Sequence, residues 1–248
     1  MASDASSSSV PDLRTHLRAL GGTFVVVALV FILASIAVAL GYPLLDAAGI
    51  AHESALGLAL RSAFQFVGFG VAGIGFLAVT DQLDLVPVRR PTRGDLKWLA
   101  IGFAALLALY FSSSAILSAL GRQGADSLIA EQGSGQPIYY LYLIPVTVLL
   151  VGPTEELVFR GIVQGLFRRA YGTRVAIIAA SAIFAAVHLS SYSGDGLFVT
   201  LGMILVLGGT LGVVYEKSEN LVVPAVVHGL FNTAQFAGLY ATETGLIG

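Results

Sequence analysis

The chain has no cysteine, and only 11% of its 248 residues are charged. Without cysteine there are no disulfides, no thiolate metal sites and no cysteine nucleophile, and the redox compartment is left open. The shortage of charge excludes an ordinary soluble domain, which carries about 25% charged residues. The 13 Lys and Arg against 15 Asp and Glu give a net charge of -2, so nothing favours nucleic acid or another strongly charged partner.

Apolar residues are plentiful instead: 56% of the chain is hydrophobic and its mean hydropathy is +0.85. Most of the surface must therefore face membrane lipid. A helix crossing the bilayer core needs about 20 mostly apolar residues, and charge-poor runs occur at Gly21 to Leu40, Ala55 to Val79, Leu96 to Leu120, Pro137 to Val151, Val175 to Leu189, Leu197 to Val214 and Leu221 to Tyr240. The pattern predicts an all-α, polytopic transmembrane helical bundle of seven to eight spans. The first run is too long for the apolar region of a signal peptide.

Lys and Arg gather at Arg14 and Arg18, at Arg89, Arg90, Arg93 and Lys97, and at Arg168, Arg169 and Arg174. By the positive-inside rule these regions are expected to be cytoplasmic, with the N-terminus inside. The intervening loops carry a single cation, Arg122. Residues 1–20 are expected to form a disordered cytoplasmic tail, Ser-rich from Ala2 to Ser9, and residues 21–136 the N-terminal transmembrane helices. Residues 137–248 hold the polar motifs. Gly161 with Gly165 and Gly208 with Gly212 have a spacing that lets helices approach closely. No internal repeat is visible.

Ionisable groups inside a span cost about 2.5–3.5 kcal/mol each and mark functional candidates. In Pro153-Thr154-Glu155-Glu156-Leu157-Val158-Phe159-Arg160-Gly161, two adjacent carboxylates open a helix. Glu156 and Arg160 stand at i and i+4 and can neutralise each other. Glu155 lies about 100° round the helix, lacks that partner and is the carboxylate available for chemistry. His188 ends the apolar run after Phe184, and His228 and Asn232 form a second i, i+4 pair on one face. His16 and His52 fall in the tail and an outer loop and read as solvated.

A hairpin turning at Ala170 to Thr173 places Glu155 and His188 at one height, each roughly 21 Å from the turn. His228 sits only ~10 Å of helix above Ser218 to Asn220, so an extended entry through Leu221 to Val223 is expected to lift it. Pro137 to Arg169 as one straight helix is roughly 50 Å long, and a break at Gly152-Pro153 is expected there.

The ordered set Glu155-Glu156-x-x-x-Arg160, Phe184-x-x-x-His188 and His228-x-x-x-Asn232 resembles the CAAX protease and bacteriocin-processing (CPBP, or Abi) family, which includes the type II CAAX prenyl proteases. The resemblance covers about Ile138 to Leu239 and makes 137–248 a CPBP-like catalytic transmembrane region. It implies that Glu155 with His188 activates water for attack on a peptide carbonyl, that His228 and Asn232 stabilise the oxyanion, and that Glu156, Arg160 and Phe184 support them. A peptide or a lipidated protein is the implied substrate. The sequence lacks the His-Glu-x-x-His helix of soluble zinc proteases, and the resemblance implies a metal-free glutamate mechanism that requires no cofactor. Zinc remains an alternative, with Glu155, His188 and His228 as ligands and one position open to water. Two other functions stay open: a non-catalytic membrane scaffold or immunity-type protein, and a proton-coupled transporter, since intramembrane Glu, His and Arg also line ion paths.

Overall fold

A computed structural model describes residues 12–247. Its long elements are helices α1 (Leu13–Ala47), α2 (Ala55–Val79) and α3 (Arg93–Ala119), the short α4 (Leu128–Gly133), α5 (Ile138–Tyr171), α6 (Thr173–Val187), α7 (Leu197–Ser218) and α8 (Val222–Glu243). Seven of them, all but α4 and with α6 continued by a 3-10 turn to Ser191, are long and apolar enough to cross a membrane. The chain is a multi-pass membrane protein and an all-α bundle. Two-residue strands β1 (Asp126–Ser127) and β2 (Tyr192–Ser193) pair antiparallel, tying the loop after α3 to the loop after α6.

Two expectations about helix ends are corrected. Residues 13–20 are not tail but the first turns of α1, because the Asp12 side chain accepts a hydrogen bond from the Thr15 amide at 2.8 Å and caps the helix. The Ser-rich stretch from Ala2 to Ser9 lies outside the described residues. The chain also does not break at Gly152-Pro153. α5 stays helical for 34 residues, roughly 51 Å, by widening into π-helical turns at Thr147–Val151 and Leu157–Gln164, on both sides of the carboxylates. The wider turn before Pro153 relieves the clash that its ring makes with the preceding turn of an ordinary α-helix.

Three apolar clusters hold the bundle. The largest joins Val26 and Val30 of α1, Phe69 and Phe76 of α2, Phe159 and Val163 of α5 and Phe184 of α6. A second packs Leu58 of α2 on Tyr139, Tyr140 and Leu143 of α5 and Phe236 of α8. The third, Leu106 with Leu211, Val227 and Phe231, fastens α3 to α7 and α8. α3 itself fully buries only Asp95, Gly102 and Leu106.

α8 starts at Val222, so the expected extended entry through Leu221 to Val223 is not present. The turn before α8 is recessed instead. Asn220 is fully buried beneath the Pro87 to Arg89 segment; its amide donates to the Arg89 carbonyl at 3.0 Å and accepts from the Arg89 amide at 3.2 Å, while the Leu221 amide donates to the Pro87 carbonyl at 2.9 Å. The recess carries His228 to the level of the α5 carboxylates.

Candidate active site

The site forms where α5 crosses α8. Gly152 makes the crossing close: a Cβ there would stand 2.6 Å from the Ala225 carbonyl oxygen and 3.1 Å from the Gly229 nitrogen. With the backbones in contact, the next turn of α5 delivers Glu155 and Glu156 to His228. All three are buried, Glu156 completely.

His228 lies between the two carboxylates. Its Nδ1 is 3.0 Å from Glu156 Oε1 and its Nε2 is 3.6 Å from Glu155 Oε2. Only Glu156 is within hydrogen-bond reach; at 3.6 Å Glu155 is in contact with the ring but not bonded to it, which leaves Nε2 for another partner.

Arg160 is completely buried, with Nε 3.1 Å from Glu156 Oε2. The two are in ion-pair contact but not aligned for a hydrogen bond. The Arg160 guanidinium stacks 5.0 Å from the Phe184 ring centre. Phe184 is the hub of the site: its ring packs edge-on against Phe159 at 5.1 Å and lies 4.5 Å from the His188 ring and 6.0 Å from that of His228.

His188 is half-buried in a 3-10 turn at the end of α6. It makes no direct hydrogen bond to Glu155. Its Nδ1 lies 2.7 Å from the Phe184 carbonyl oxygen, which can only accept, so Nδ1 carries the proton and Nε2 is the free basic nitrogen. Asn232 donates from Nδ2 to the Thr147 hydroxyl at 3.1 Å and keeps a second N–H for another acceptor. Glu155 is not hydrogen-bonded to any side chain or backbone group among the described residues, so its carboxylate is free to bind a small donor such as water.

Three residues near the site were not singled out by the motifs. Thr147 orients Asn232, Gln164 continues the polar face of α5, and Tyr192 closes one side. The Tyr192 phenol is pushed above its ordinary range, first by burial and then by the negative charge of Glu155. Thr147 and Gln164 are polar residues in an otherwise apolar helix and were findable on that ground. Tyr192 was not, because only the β1–β2 pairing brings its loop inward. As for a metal, no three His, Asp or Glu side chains among the described residues come together as a set able to hold one. Glu155, His188 and His228 do not converge on one point, and both His228 nitrogens are turned to carboxylates.

Residues 137–234, from the start of α5 into α8, match the family model described as Type II CAAX prenyl endopeptidase Rce1-like. The C-terminal region is thus similar to that family. All the residues of the triple motif fall inside the match, and α1 to α3 lie outside it. The chain is also similar to the uncharacterized protein YpbD of Bacillus subtilis (strain 168), with 26% identity over 163 residues, 64% of this chain and 77% of that protein. No solved structure gives a significant match. Because the Rce1-like family is one of proteases, the match supports a hydrolase.

Proposed function

We infer that the chain is an intramembrane endopeptidase, acting on membrane-associated or lipidated peptides by a CAAX-type cleavage. The observation that carries this reading is a buried carboxylate, Glu155, left without a hydrogen-bond partner beside a histidine with a free basic nitrogen, in a region that matches a prenyl endopeptidase family.

In the reaction, a water between Glu155 and His188 Nε2 loses a proton to this pair, and its oxygen attacks the scissile carbonyl carbon. The oxyanion is met by an N–H of His228 and the free N–H of Asn232; such preorganised donors contribute about 3–4 kcal/mol. Collapse of the tetrahedral intermediate breaks the C–N bond, and the proton held by the pair passes to the leaving amine. Phe184 keeps both imidazoles in place, and Glu156 with Arg160 holds His228. No resident ion is required in this scheme, so cleavage is expected to persist in chelator. The N-terminus is cytoplasmic in this reading. Single cysteines introduced into the cysteine-free chain at Arg18 and Arg122 are expected to label from opposite sides of the membrane.

The test is cleavage of farnesylated CAAX peptides and a quenched fluorescent peptide library by detergent-purified protein, with Glu155→Gln as control and with and without chelator. Loss of cleavage in the variant is expected. An active Glu155→Gln protein would overturn the reading, and inhibition by chelator would restore the zinc alternative.

A further inference from the structure

The face of α5 that carries Glu156 and Arg160 stays polar where a membrane bundle is normally apolar. Gln164 follows Arg160 by four residues and Arg168 follows Gln164 by four. Gln164 is completely buried. Its Nε2 donates to Glu216 Oε1 at 2.8 Å and to the Gly212 carbonyl at 3.2 Å, both on α7, and Arg168 Nη1 lies 3.2 Å from both oxygens of Glu216.

Between the two ends of this column stand complementary groups. The terminal nitrogens of Arg160 have no acceptor and Gln164 Oε1 has no donor among the described residues. They stand on successive turns of α5, donors beside an acceptor in one buried column. α7 is shaped around them: a Cβ at Gly208 would come 3.5 Å from Arg160 Nη2, and one at Gly212 only 2.8 Å from Gln164 Oε1. Packing alone does not account for such a column, since apolar side chains of similar volume fill a buried site at least as stably.

We propose that Gln164 and Glu216 are positioning residues that anchor the far end of this column, holding Arg160 against Glu156 and Glu156 against His228 Nδ1. The proposal rests on the endopeptidase reading and names the part of the site remote from the substrate. Gln164 is fixed by its two bonds to α7 while its carbonyl oxygen keeps no donor, and Glu216 is held in turn by Arg168. Loss of either residue releases the guanidinium, and His228 loses its register with the reacting carbonyl.

The experiment compares Gln164→Leu, Glu216→Gln and Gly212→Ala with the wild-type protein. Gly212→Ala removes no polar group but displaces the Gln164 amide, and Gly209→Ala, whose Cβ meets nothing nearer than Ser181 Oγ at 3.9 Å, is the control. Two readouts are taken: kcat and KM per folded molecule, and the imidazole ¹⁵N resonances of His228, assigned by His228→Asn. Expected for the three test variants are a kcat lowered about tenfold or more, a KM within about twofold of wild type, a shifted His228 resonance, and for Gln164→Leu a thermal midpoint equal to or above wild type. An unchanged kcat with an unchanged resonance, or a loss of activity matched by loss of folded protein, overturns the proposal. If the wild-type protein cleaves no peptide, the endopeptidase reading fails by itself and the resonance still decides: a shift in Gln164→Leu and Gly212→Ala but not in Gly209→Ala supports the column, and no shift refutes it.

Discussion

Two clusters of polar groups lie along α8, and they are built on opposite terms. At its N-terminal end, Asn220, Ser218, Arg89 and Asp95 satisfy one another: Arg89 donates to both oxygens of Asp95 and to the Ser218 carbonyl, and Asn220 bonds both ways to the Arg89 backbone. Two turns further on, His228 faces a group in which Glu156 Oε2, three nitrogens of Arg160 and Gln164 Oε1 have no hydrogen-bond partner. A satisfied buried network fixes a structure; an unsatisfied one retains groups that can bind something else. The first cluster sets the depth of α8, and the second uses that depth.

The comparison can be broken by substitution. The largest effect is expected at Glu155: Glu155→Gln lowers kcat by about 10²–10⁴-fold, the range for loss of a general base, with little change in thermal midpoint, measured on peptide substrate and by thermal unfolding. Arg160→Met comes next. It takes the guanidinium from Glu156, leaving that buried carboxylate only its bond to His228, and is expected to cost about 3–5 kcal/mol of stability, most of which returns in the Glu156→Leu/Arg160→Met double variant.

Asn220→Ala tests the satisfied cluster. It removes the bonds to Arg89 and is expected to cost about 1–3 kcal/mol and, by loosening the depth of α8, to lower kcat per folded molecule by less than about tenfold; a kcat loss as deep as that of Glu155→Gln would erase the distinction between the clusters. The smallest effect belongs to Tyr192→Phe. Burial and Glu155 raise its phenol above the ordinary value of about 10, so the group is a neutral donor throughout the working range. A loss of less than about tenfold is expected, constant with pH in a kcat profile from 6 to 9.

The transmembrane bundle was legible because the lipid constraint is local: each span must be apolar over its own length, whatever its neighbours do. The i, i+4 relation of Glu156 to Arg160 was legible for the same reason, being set by helical pitch alone. Gly208 and Gly212 show where this stops. Their spacing announced close packing, but not that the neighbours would be Arg160 and Gln164. The unbroken α5 was missed because Pro153 reads as a breaker unless the turn before it widens, and widening depends on what packs against that turn.

The sequence by itself determined that the protein lives in a membrane, that it crosses seven or eight times, and which few ionisable side chains sit where lipid forbids them without cause. Only the tertiary structure decided that His228 stands between Glu155 and Glu156, that His188 reaches the site through Phe184, and that Asn232 answers to Thr147. Those relations depend on the depth to which α8 is drawn by a turn buried under Pro87 to Arg89, more than a hundred residues away along the chain. No periodicity encodes a depth set by contacts so distant; it exists only once the helices are packed.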